Sequence, residues 1–135
     1  MDKMGCGFTS ASVVDEGTNT IYMCLSYDTT GYLYAIKDKN ILIHLLNTKP
    51  YIGLTLANGI LYGGYNNQKT LSATIDEIDP TTLKVKSTLA TMQDGWQLKT
   101  DHMFAHDLQA NIFYLWCTNK NSTIYDYSII FGVDG

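Results

Sequence analysis

Apolar and polar residues alternate along this chain in short runs, and turn residues cut the runs at nearly regular intervals. The first run is "NTIYMCLSY" (19–27), closed by Asp28-Thr29-Thr30-Gly31. "YLYAIKD" follows, then Lys37-Asp38-Lys39-Asn40, then "ILIHLL". Beyond Pro50 come "YIGLTLA", the turn Asn58-Gly59 and "ILYGGYN". Asn-Gly between two apolar runs is a strong hairpin signal, because both central residues of the tight turn need positive φ. "LSATIDEID", the turn Pro80-Thr81-Thr82 and "LKVKSTLATM" come next. The last third reads "DHMFAHDL", Gln109-Ala110-Asn111, "IFYLWCTN", Lys120-Asn121-Ser122 and "TIYDYSIIFGVD". No segment keeps a helical period over three turns. "TLATMQDGWQ" holds at most one turn of helix, given Gly95 and its threonines. The pattern predicts an all-β chain.

An internal repeat sharpens that expectation. "NTIYM", "NGILYGG" and "ANIFYLW" each place a turn residue, an apolar pair and a tyrosine at the start of a strand. The tyrosines are Tyr22, Tyr62 and Tyr114, spaced 40 and 52 residues apart. Ile36 matches Ile78 and Ile41 matches Leu83, each 42 residues on, and Val133 matches Ile78 at 55. The extra residues fall around "QDGWQLKTD". Each unit then holds about four strands in about forty residues. The stretch "ANGILYGGYNNQKTLSATIDEIDPTTLKVKSTLA" resembles a blade of the β-propeller repeat superfamily. It carries no WD dipeptide, kelch double glycine or sialidase box that would name a subfamily. The resemblance implies a single all-β domain over 1–135, built as a β-propeller-like array of about three four-stranded antiparallel blades (about 8–49, 50–92 and 100–135). Three blades do not close a ring, since propellers use four to eight. The expected array is therefore an incomplete ring, with a β-sandwich as the alternative. Unpaired edges invite association, so self-association, two copies giving about six blades, or a protein partner is expected through the blade edges.

Composition narrows the function. The net charge is −4, and all nine basic residues are lysines. Without arginine forks or a basic patch, nucleic-acid binding is not expected. No run reaches the length needed to span a bilayer, so no membrane insertion is expected. The N-terminal "MDKMGCGFTS" lacks an apolar core of signal-peptide length. The three cysteines, Cys6, Cys24 and Cys117, form no close pair and no C-x-x-C. Cys24 and Cys117 sit in apolar runs and read as buried thiols. Free thiols point to a reducing setting, cytoplasm or virion, and leave localisation open.

The densest cluster of possible chemistry is "TDHMFAHD" (100–107). Asp101 to Leu108, read as the inner strand of the third unit, places His102, Phe104 and His106 on one face and Asp101 and Asp107 on the other. His102 and His106 would stand about 13 Å apart, too far to share one metal. They remain candidates for binding. Propeller glycoside hydrolases set carboxylates on inner strands, so Asp101 and Asp107 are candidate catalytic acids, with Asp76 or Asp15 as partner and Glu77 turned away. Trp96 lies in the one insertion and is expected on a rim loop. With Tyr65 or Tyr27, it could stack on a sugar or anchor a protein. Gly63-Gly64 matches no phosphate loop and reads as a bulge or a close approach. No cofactor is expected. The leading expectation is a non-catalytic binding or assembly module, such as part of a virion, phage tail or cell-surface assembly. The alternative is a fragment of a carbohydrate-active propeller enzyme or a lectin-like domain.

Overall fold

The computed structural model describes residues 8–27, 29–98, 104–119 and 128–134. The chain is all-β, with no helix among the described residues. In chain order the strands are β1 (Phe8–Asp15), β2 (Thr20–Tyr27), β3 (Thr30–Lys37), β4 (Asn40–Thr48), β5 (Gly53–Ala57) and β6 (Ile60–Asn67). They continue with β7 (Ser72–Ile78), β8 (Val85–Thr91), β9 (Trp96–Leu98), β10 (Phe104–Asp107), β11 (Ile112–Asn119) and β12 (Ser128–Asp134). Three antiparallel sheets result: β1-β2-β3-β4, β5-β6-β7-β8, and β10-β11-β12 with β9 also on β11. No closed ring is seen among the described residues.

The third sheet corrects one expectation. A single inner strand was expected over 101–108. Instead β10 pairs with Ile112–Leu115 of β11, and β9 pairs with Cys117–Asn119. The opposite edge of β11 is taken by β12 over Ile112–Thr118. β9 and β10 therefore both lie on the edge of β11 where a first strand runs. Trp96 belongs to β9 rather than to a rim loop, and it packs half-buried against the core. Asp101 and His102 lie outside the described residues.

Turn chemistry explains the hairpins. The two-residue loops Asp38-Lys39 and Asn58-Gly59 have φ of 52° and 67°, and of 52° and 77°. Paired positive φ matches the right-handed twist of the flanking strands. A four-residue loop recurs three times. Asp15 Oδ1 accepts from the amides of Gly17 and Thr18 at 3.0 and 3.4 Å. Asn67 Oδ1 accepts from Lys69 and Thr70 at 2.8 and 3.2 Å, and Asp107 Oδ1 from Gln109 and Ala110 at 3.0 and 3.1 Å. Each of these loops ends on a left-handed residue: Asn19 at 56°, Leu71 at 54° and Asn111 at 54°. A short acceptor side chain replaces the backbone partner that the loop amides lack.

Burial gives the order of the sheets. One core cluster joins the first and second sheets through Tyr22, Cys24, Leu33, Leu54, Leu61 and Tyr65. A second joins the second and third sheets through Tyr62, Ile75, Leu98, Phe113, Leu115 and Cys117. The middle sheet therefore buries both faces. Every residue from Leu61 to Tyr65 is buried, whereas burial along β2 alternates residue by residue. Two-sided packing erases the period of two that marks a half-buried strand.

Tyr51, on the connection between β4 and β5, pins the first interface. It is 1% exposed, and its hydroxyl donates to Asp76 Oδ2 at 2.8 Å. Thr88 donates to the other carboxylate oxygen at 2.9 Å. Both oxygens of a 2% exposed carboxylate are thus occupied, as burial of a charge demands. The Tyr51 ring lies over Gly63, where an added Cβ would stand 2.5 Å from a ring carbon. That is the close approach expected from Gly63-Gly64. Asn66 ties the second interface: its amide nitrogen donates to Leu98 O at 3.0 Å, and its oxygen accepts from Leu98 N at 2.8 Å.

Candidate functional site

The carboxylates do not gather among the described residues. Asp15 and Asp107 each cap their own turn. Asp76 is sealed under Tyr51 and Thr88, and Glu77 is half-buried on β7, the third strand of its sheet. His106 donates from Nε2 to Asn111 Oδ1 at 2.9 Å, and its ring centroid lies 4.3 Å from that of Phe113. This histidine closes its own hairpin and shares the inner face of the sheet. No group of three or more His, Cys, Asp or Glu residues could hold a metal among those described. No helix is long and apolar enough to cross a membrane among those residues.

The aromatic candidates separate. Tyr65 is 8% exposed, meets the Tyr51 ring edge-on at 5.7 Å, and carries Lys49 Nζ 5.6 Å from its centroid. Its face is spent inside the first interface. Tyr27 is 51% exposed, at the end of β2. Cys24 and Cys117 are buried free thiols. Burial pushes the Cys117 thiol up to about 11 and raises that of Cys24 as well. Burial, followed by the Asp76 carboxylate, drives the Tyr51 phenol far above its ordinary range. None of the three is poised as a nucleophile at neutral pH.

Two shallow clefts open beside this interface, of about 500 and 290 Å³. Thr29 and Lys49 line both; Lys84 lines the larger one, and Asn66, Asn67 and Gln68 line the smaller. The larger cleft mixes these polar groups with Leu45, Leu46, Leu83 and Val85, and the tyrosines beside the clefts are already packed.

Among the described residues, large apolar side chains are exposed on the two end faces of the stack. Strand register places Val14, Ile21, Met23, Leu25 and Tyr27 on the outer face of the first sheet, with Tyr32, Tyr34, Ile36, Ile41, His44 and Leu46. No Asp, Glu or Lys shares that face. Val14, Ile21, Tyr27, Ile41 and Leu46 are exposed by 51, 37, 51, 57 and 58%. On the outer face of the third sheet, Tyr114 and Trp116 are 40 and 41% exposed. A monomer surface normally breaks such a patch with charge.

The repeat explains both faces. The matched residues hold the same register in each sheet: Ile21 pairs with Ile36, Leu61 with Ile78, and Phe113 with Val133. The repeat tyrosine always points toward the following sheet. Tyr22 is 6% exposed and joins the core shared with the second sheet. Tyr62 is 8% exposed and sits 4.6 Å from the Phe113 ring of the third sheet. Tyr114 points the same way with no described sheet beyond it. The residue before each tyrosine faces the preceding sheet. Leu61 and Phe113 are 0% exposed there, and Ile21, with no described sheet before it, is exposed. Sequence reasoning located these tyrosines but gave them no role. It missed Tyr51 and Asn66 altogether.

No family model, curated protein or solved structure matches this chain.

Proposed function

We propose that this chain is a non-catalytic, β-propeller-like assembly module that associates with itself through the outer faces of its end sheets. Each antiparallel sheet is taken as one blade, giving an incomplete array of three. Contact of the first strand β5 with both β1 and β10 supports this reading, because first strands neighbour one another in a radial array. The observation that carries it is the charge-free outer face of the first sheet, with Ile41 and Leu46 more than half exposed. Burying each such side chain is worth about 1.5–3 kcal/mol. The test is solution mass by light scattering across a concentration series. A mass above the 15.1 kDa of one chain is expected. A monomer at every concentration sinks the proposal.

A second reading, polar-ligand or carbohydrate binding, rests on the smaller cleft with Lys49, Gln68 and Lys69. Amide and lysine side chains suit sugar hydroxyls. Amide shift changes at these residues on titration with simple sugars would support it, and an unchanged spectrum would remove it.

A further inference from the structure

We infer that two copies of this chain dock head to tail, the outer face of the third sheet of one copy covering the outer face of the first sheet of the other. This rests on the self-assembly reading above and specifies its partner and geometry. The two interfaces within the chain supply the template. In each, a repeat tyrosine packs toward the apolar position just before the next repeat tyrosine: Tyr22 toward Leu61, and Tyr62 toward Phe113. Carrying the series one step further sets Tyr114 against Ile21 of a second copy. These two are the exposed members of their sets, at 40 and 37%. The contact is heterologous, with different patches meeting, and must close into a ring or grow without limit. Arithmetic selects the ring. One copy holds three sheets, two hold six and three hold nine, against the four to eight of closed propellers. Two copies therefore close, and each interface forms twice.

The area suffices. Eight residues at ~3.3 Å and strands at ~4.8 Å give roughly 500 Å² in projection for the four-stranded first face and roughly 380 Å² for the third, which is three strands wide. Two such faces per copy exceed the ~800 Å² per partner of a standard interface. The first-sheet face carries no Asp, Glu or Lys, and Asp107, which register places on the third-sheet face, spends its carboxylate on the amides of its own turn at the end of the sheet.

Cysteine cross-linking tests the geometry. In a Cys6→Ser background, Ile21→Cys and Tyr114→Cys are made as separate chains, leaving only the buried Cys24 and Cys117 as other thiols. Each chain is oxidised alone and after mixing, run on a non-reducing gel, and its mass is taken by light scattering. A second pair, Val14→Cys with Ala105→Cys, probes the same contact at exposed positions on the first strands. The expected result is a covalent dimer only in the mixtures, and a native mass of twice 15.1 kDa. Covalent dimers from either chain alone would mean that like faces meet. That outcome overturns the head-to-tail arrangement and leaves self-assembly standing. Mixed cross-links with a mass that climbs with concentration overturn closure at two copies. A monomeric mass overturns both the arrangement and the assembly reading.

Discussion

Replacing Gly63 with alanine tests the Tyr51 pin with one methyl group. The new Cβ would stand 2.5, 2.8 and 2.9 Å from three carbons of the Tyr51 ring. The Gly63 backbone cannot retreat, because β6 is held by β5 on one side and β7 on the other. The ring must move instead. It is 1% exposed, and its hydroxyl is 2.8 Å from Asp76. Overpacking a filled core costs about 1–3 kcal/mol. Leaving one oxygen of Asp76 without its donor costs about 1–3 kcal/mol more. Gly63→Ala is therefore expected to cost about 2–5 kcal/mol, a large share of the ~5–15 kcal/mol that holds a domain together. Urea unfolding followed by tyrosine and tryptophan fluorescence measures it. The decisive comparison is the double variant. In a Tyr51→Ala background the clash is gone, so adding Gly63→Ala should cost less than about 1 kcal/mol. If Gly63→Ala costs the same with and without the Tyr51 ring, or nothing in either background, the pin is refuted.

Other perturbations read other parts of the argument. Leu71 holds φ of 54° where the two sister turns place Asn19 and Asn111. Leu71→Asn should raise stability by about 0.5–1 kcal/mol, since asparagine tolerates the left-handed region better; a lower urea midpoint would count against the equivalence of the turns. Asn66→Leu removes both hydrogen bonds to Leu98 and should cost about 1–3 kcal/mol. Hydrogen exchange at the Leu98 amide should quicken before exchange elsewhere in the third sheet, and unchanged protection there would refute the tie. Cys117 ionises at an ordinary 9.0 when unfolded and near about 11 when folded. Its raised value contributes stability in full below pH 9, and that contribution fades as pH rises toward about 11. Cys117→Ala should therefore lose less stability than the parent over that window, as followed by urea midpoints, and parallel curves would exclude the effect.

Much of the fold was legible because the hairpins are local. Asn58-Gly59 marked its turn by chemistry, and the repeat tyrosines marked equivalent strands whose register the structure reproduces. What was hidden depends on contacts between sheets. Tyr65 reads as a strand-end aromatic free to bind, but in a sheet packed on both faces either parity is buried. Trp96 lies on a three-residue strand, too short to show any period. Tyr51 and Asp76 are 25 residues apart, and nothing local links them. The end faces were hidden for a different reason. Their residues look like core, and only the stacking order shows which core positions have no described sheet to cover them.

The middle sheet, buried on both faces, also sets how the molecule comes apart. Its neighbours each lean on one interface, while it leans on two. In a linear array with nearest-neighbour coupling, opening begins at the ends and works inward. The amides of β6 and β7 are expected to be the last to exchange with solvent. Loss of either end sheet would still leave the central meander one packed face, and that half-supported state is the one through which the chain should fold and unfold.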